Sequence, residues 1–384
     1  MLFCVADHFE PFRRVPGEDG LLRDSTPGEA RELVRAWTTG YPAQINGFRD
    51  WDGVKPRHSF FYPEEEYDST CMDMLAKLSA SGCGEVEVHL HHRNDTPSGF
   101  HEKLVRFRDL LRKEHGLLGT WRSKVEHGDG GGLGPRGADA GGDAAARGQG
   151  SIAYGFVHGN WSLCNSRPDG DWCGVNEELG ILGATGCYAD FTFPSAPSPT
   201  QPRIVNSIYR AVDTPGRPRG CDRGERSSVM KGPCEDGGHG RSVGAGQPLL
   251  LIQGPLGLRW SDRKWGIVPR LENAEISAAG MPTADRVRLW ERQGIHVAGR
   301  PEWVFVKLHT HGCVEGNRMV VLGEAMRTAW RFMQERYNDG RNWRLHYVTA
   351  REMYNIVRAA EDGRTGDPGV YRDYEITPPP ACGR

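Results

Sequence analysis

The chain has 384 residues, with 48 Lys and Arg against 50 Asp and Glu and a formal net charge of −2. That length suits one large α/β domain or two small ones, and the charge balance excludes a global basic field that would recruit nucleic acid or acidic lipid. No segment approaches the ~18–20 apolar residues of a membrane span, and residues 1–7 lack the basic n-region of a signal peptide. Ten cysteines are scattered without a C-x-x-C pair, so reduced thiols in a cytoplasmic protein are expected rather than a disulfide framework.

Apolar runs alternate with helix-like stretches along the chain. Residues 2–6 read as a first strand, 27–37 as a helix and 59–62 as a short strand. Residues 67–79 place Cys71, Met74, Leu75 and Leu78 on one helical face. A strand at 86–91 precedes a helix near 100–111, where Phe100, Leu104, Phe107 and Leu111 recur at steps of 4, 3 and 4. A strand at 152–157, a helix at 175–182 and strands at 188–193, 203–209, 249–252 and 303–308 follow. The strongest helical stripe is Met319, Leu322, Met326, Trp330, Met333 and Tyr337, stopped by Asn338-Asp339-Gly340. Residues 343–348 and 350–360 make a last strand and helix. About seven strands, most followed by a helix, imply an α/β protein with a parallel sheet, open or closed into a barrel.

Residues 127–150 and 213–247 break this rhythm with Gly-rich sequence that offers no face to bury, and are expected to be flexible surface insertions. The tail after Gly363, ending in Pro378-Pro379-Pro380, is expected to be loose. One domain over residues 1–362 is therefore expected, with a tail at 363–384. The G-x-S-x-G spelled by residues 240–244 lies inside the second insertion. With no strand before it and no helix after it, it is not a nucleophile elbow.

Chemistry concentrates at strand ends. His8 follows Asp7 after the first strand, ahead of Glu10. His89, His91 and His92 end the third, and His309 and His311 end a late one. Parallel strands finish at one mouth, so these imidazoles and carboxylates are expected to share a polar pocket. Imidazole with carboxylate is the ligand set of a Zn²⁺-like ion. Alternation puts His89 and His91 on one side of their strand and Leu90 on the other. His92 or Asp95 could turn in as a further ligand. His158, beside Trp161, and Asp190, within a strand, are candidates for binding substrate or orienting an imidazole. Trp51, Trp161 and Trp172 fall in polar loops, where a flat apolar face suits a sugar ring.

These residues resemble the polysaccharide deacetylase (NodB-homology) group of the glycoside hydrolase/deacetylase superfamily. Its opening Phe-Asp-Asp-Gly strand corresponds to Val5-Ala6-Asp7-His8, and its Glu-Ile-Gly-Asn-His-x-x-x-His strand to Glu85-Val86-Glu87-Val88-His89-Leu90-His91-His92-Arg93. Its late Leu-x-His corresponds to Leu308-His309-Thr310-His311. His158-Gly159-Asn160-Trp161 and the segment from Tyr347 to Glu352 are similar to a bacterial branch of that superfamily. The resemblance implies an irregular (β/α)7 barrel and a divalent metal, zinc most simply, held by Asp7, His89 and His91. It implies Glu10 as base, because Ala6 occupies the usual base position, and His309 as proton donor. His158, Trp161, Asp190 and His311 would then face an acylated carbohydrate. Arg93 stands where the group has its second histidine, so His91 or His92 must replace it. The implied activity is metal-dependent deacetylation. Glycosidic-bond cleavage and non-catalytic glycan binding are the alternatives, and neither a membrane nor a nucleic-acid partner is expected.

Overall fold

The computed structural model describes residues 1–16, 21–122, 150–230 and 247–383. Its centre is an eleven-stranded sheet. The main strands are β1 (Leu2–His8), β2 (His58–Pro63), β3 (Gly84–Leu90), β4 (Ile152–His158), β5 (Cys187–Asp190), β6 (Ile208–Ala211), β7 (Leu249–Ile252) and β8 (Phe305–Thr310). In space they run β6, β7, β5, β4, β3, β2, β1, β8. From β7 to β8 every neighbouring pair is parallel. The strand expected at residues 203–209 is instead β6, antiparallel to β7.

The helices are α1 (Pro27–Gln44), α2 (Ser69–Ala80), α3 (Pro97–Lys113), α4 (Glu178–Ala184), α5 (Ala284–Arg292), α6 (Glu315–Val321), α7 (Glu324–Tyr337) and α8 (Ala350–Glu361). Their starts follow local chemistry. Thr26 and Thr349 each form a reciprocal capping box with a glutamate three residues on, Glu29 and Glu352. No helix among the described residues is long and apolar enough to cross a membrane.

Strand alternation sorts the core into two layers. Phe3 and Val5 pack outwards with Trp37, Leu75, Leu104 and Trp330 of the helices. Leu2, Cys4 and Ala6 pack inwards with Phe61, Val157, Leu250 and Phe305. Helix α8, buried on every side, presents Met353, Ile356 and Val357 to that inner layer. The two ends of the parallel series also approach each other. A Cβ on Gly254, just past β7, would lie 2.3 Å from the Lys307 carbonyl of β8. Lys307 Nζ donates to the carbonyls of Phe191 and Phe193 at 2.7 and 2.6 Å.

Three expectations change. The single helix read through Met319 and Tyr337 is two, α6 and α7, divided at Gly323. The Gln44 amide satisfies the carbonyls of Val321 and Gly323 at the break, and Met319 is left exposed. Residues 363–383 are not loose. Asn355 pairs with the backbone of Glu375 and Ile376, Arg351 bonds the carbonyls of Arg372 and Ile376, and Ile376 is fully buried. The first part of the second Gly-rich stretch is also built in, since Gly224–Arg226 pairs with β6 and Cys221 is buried. Residues 127–149 of the first stretch and 231–246 of the second, which includes the G-x-S-x-G, lie outside the described residues.

Candidate functional site

The inward positions of β1, β3 and β8 deliver His8, His89 and His309 to the C-terminal end of the sheet. The His8 ring lies 5.1 Å from His89, 6.0 Å from His309, 4.6 Å from His311 and 6.2 Å from Trp161, centroid to centroid. His91 is 4.6 Å from His89. Glu10 sits among them, with Oε1 3.2 Å from His89 Nε2 and 3.6 Å from His91 Nε2. Two sets of donor atoms each fall within 4.8 Å of one another: Glu10 with His89 and His91, and Glu10 with His8 and His311. His91 and Glu10 remain about a quarter exposed, at 24% and 23%, so the cluster is open to solvent.

His89 Nδ1 is 2.7 Å from the Val157 carbonyl, which can only accept, so Nδ1 carries the hydrogen. His91 Nδ1 is likewise fixed at 2.5 Å from Glu65 Oε1. In the neutral imidazole each Nε2 is then a bare lone pair, and both are aimed at a carboxylate oxygen. Burial disfavours the ionised Glu10, yet the His89 contact and the surrounding imidazoles hold it down at about 2. Burial lowers His91 as well, but Glu65 and Glu10 outweigh it and raise it. His8 is pushed well down by burial and then by His311, His89 and His309. Buried His8 Nε2 and His309 Nδ1 have no hydrogen-bond partner among the described residues. Glu10, His89 and His91 each offer one ligand atom and could hold a metal ion.

Asp7, expected as a metal ligand, is not in this cluster. As an odd-numbered residue of β1 it faces the helices, where Oδ2 meets His58 Nε2 at 2.8 Å and Oδ1 accepts from Gly312 N at 2.6 Å. It braces the turn after β8 that carries His311, and Trp37 Nε1 donates to the Gly312 carbonyl at 3.0 Å from the same side. Only glycine fits there, because a Cβ at 312 would lie 2.1 Å from Asp7 Oδ2 and 2.5 Å from the Trp37 ring. His8 and Glu10 occupy the place expected for Asp7.

The remaining expected residues divide. Trp161 stands beside the cluster, 5.8 Å from the His311 ring. His158 faces outwards from β4 and joins His92, Cys173 and Glu178 instead. Asp190 is buried and accepts from Thr192 N and Oγ1 at 3.1 and 2.7 Å, and burial raises it to about 7. It acts as a core residue, not as a substrate contact. Trp172 stacks under Arg93, 5.1 Å away, and Trp51 under Arg344, 4.7 Å away. Glu65 was missed, although the acidic run Glu64-Glu65-Glu66 directly after β2 marks one more strand end. His58 was missed because it begins a strand rather than ending one.

No family model, curated protein or solved structure matches this chain.

Proposed function

We propose that the protein is a metal-dependent hydrolase acting on an acylated carbohydrate. The observation that carries this reading is the convergence of His89 Nε2, His91 Nε2 and Glu10 within 4.8 Å at a solvent-reachable strand end. Imidazole and carboxylate suit a divalent ion of the zinc class. Glu10, His89 and His91 would hold it, with His8 and His311 on the opposite side of Glu10. Such an ion supplies Lewis acidity towards an acyl carbonyl. Glu65 fixes the His91 tautomer, as outer partners of metal-ligating histidines do. His309, with an unpaired Nδ1, is the group left to move a proton to the departing oxygen or nitrogen. Trp161, half-buried beside His311, offers a ring face to a sugar.

An irregular (β/α)7 barrel agrees with the strand order. The parallel series reads as a ring in chain order, 1-2-3-4-5-7-8, with β8 beside β1. At the one missing ladder, Gly254 and Lys307 are in close contact. The setting we infer is the reducing cytoplasm, in keeping with buried Cys4 and Cys173, which form no disulfide.

The test is acetate release from acetylated chromogenic sugars by protein reconstituted with Zn²⁺, Co²⁺ or Mn²⁺. Release should fall by at least about 10²-fold in a His89→Ala/His91→Ala variant. Sugar binding without release under every metal, or cleavage of deacetylated glycosides instead, overturns the reading.

A further inference from the structure

His92, His158, Cys173 and Glu178 form a second cluster outside the proposed catalytic site. Each offers one ligand atom, and the four atoms lie within 4.8 Å of one another. The side chains of His92, His158 and Glu178 have no exposed surface, and Cys173 is fully buried. They come from four places: the turn after β3, the end of β4, the loop between β4 and α4, and the first turn of α4. Nothing in the proposed hydrolytic chemistry uses them.

Their hydrogens can be counted. His158 Nδ1 lies 2.5 Å from the Gly159 carbonyl, and His92 Nδ1 lies 3.2 Å from Asp95 Oδ2. The Gly159 carbonyl accepts, so His158 Nδ1 carries its hydrogen and its Nε2 is a lone pair, whereas His92 Nδ1 is close to Asp95 without a hydrogen bond among the described residues. The two Nε2 atoms lie 2.8 Å apart. Glu178 Oε1 lies 2.9 Å from one and 3.2 Å from the other. A cation placed between them would serve all four ligand atoms at once. The surroundings are those of ligands already oriented. The other Glu178 oxygen accepts from Cys164 N, the Cys173 thiol donates to the Val175 carbonyl at 3.2 Å and accepts from Val175 N at 3.4 Å, and Phe100 stacks on the His92 ring at 4.7 Å. Carboxylate or carbonyl partners on the far nitrogen are the usual support of a metal-bound histidine.

We propose that His92, His158, Cys173 and Glu178 bind a structural zinc ion. A soft thiolate with two imidazoles and a carboxylate is a zinc donor set. One thiolate and one carboxylate neutralise Zn²⁺, so the assembly carries no net charge into the core. With ~2.0–2.3 Å bonds, tetrahedral ligands sit about 3.3–3.7 Å apart, so the 2.8–3.2 Å among His92, His158 and Glu178 asks those three to open by only about half an ångström. Four protein ligands leave no position for substrate. The ion would clip the loops at 92–95 and 159–178 to the sheet. Six non-glycine residues with positive φ cluster in those loops: Asn94, Asn160, Trp161, Cys164, Asn165 and Trp172. Such conformations persist only where the surroundings impose them. Trp161 would thereby be held over the neighbouring histidine cluster.

The test exploits the thiol, which among the clusters of the described residues only this one contains. Full-length protein loaded with Co²⁺ should show a sulfur-to-cobalt charge-transfer band in the near ultraviolet and intense tetrahedral d–d bands. Both should persist in Glu10→Gln, where the open site is altered, and the charge-transfer band should vanish in Cys173→Ser. Zinc content should fall by one equivalent from wild type to Cys173→Ser. Wild-type cobalt protein without the charge-transfer band, or equal zinc in wild type and Cys173→Ser, overturns the proposal. Because the wild-type spectrum needs no variant to fold, and the band is independent of turnover, this outcome is separate from failure of the hydrolase reading.

Discussion

His89 and His92 lie three residues apart, yet each belongs to a different cluster of imidazole and carboxylate. His89 turns inwards to Glu10 and His91, which water reaches. His92 turns outwards beneath α3 and α4, to His158, Cys173 and Glu178, which water does not reach. Both clusters bring imidazole Nε2 atoms to a carboxylate oxygen. They differ in access and in the thiol. An open set that spares a position suits chemistry on a substrate, and a closed set of four suits holding the chain together. The difference teaches that histidine density alone does not separate a working site from a structural one.

Paired substitutions should break the comparison most sharply. His158→Ala leaves Glu178 and His92 buried without their partner, and should cost about 3–5 kcal/mol, as breaking a buried charged set does. Glu10→Gln, at a side chain about a quarter exposed, should shift stability by less than about 1 kcal/mol while acetate release falls about 10²–10³-fold. Urea unfolding and a turnover assay on both proteins check this, and equal stability losses would erase the distinction.

A smaller effect is expected at Asp7, which serves the open cluster only through Gly312. Asp7→Asn should lose about 1–3 kcal/mol, the cost of disturbing a buried hydrogen-bonded carboxylate. Metal content should stay unchanged; loss of metal in Asp7→Asn would restore Asp7 as a ligand.

A pH slope is expected from Asp190, which belongs to neither cluster. Its carboxyl is raised by burial from 3.8 to about 7. Between those values the folded protein keeps a proton that the unfolded chain releases, so stability falls as pH rises through that window. Wild type should therefore lose up to about 1.4 kcal/mol per pH unit relative to Asp190→Asn between about pH 4 and 7, and no more above it. Parallel stability curves for the two proteins would show that Asp190 ionises normally in the fold.

Much of the architecture was legible because parallel strands are near-continuous apolar runs. Residues 2–6, 152–157 and 249–252 fall on strands of the sheet, and 86–91 overlaps one that ends at Leu90. That same continuity hid which face each residue takes. Leu2-Phe3-Cys4-Val5-Ala6 is apolar on both sides, so nothing in it says that His8 faces in and Asp7 out. The exposed hairpin Gly257–Lys264 and Val268–Glu272 was missed because its charged residues resemble a loop. Cys173 and Glu178 sit in a loop and a short helix at no regular spacing from His92 and His158, so only the folded chain brings them together. Gly323 divides α6 from α7 without interrupting the apolar stripe that suggested one helix.

The pairing of β1 has a consequence for synthesis. Ala6 is bonded on one side to the strand of Ser59 and on the other to the strand of His309. The first neighbour emerges from the ribosome early and the second very late. Until residues 305–310 arrive, a nascent chain presents one whole margin of its first strand with amides and carbonyls unclaimed, a template for pairing with another molecule. Translation arrested before that point yields an aggregation-prone fragment rather than a smaller working protein, and such fragments become a burden on chaperones.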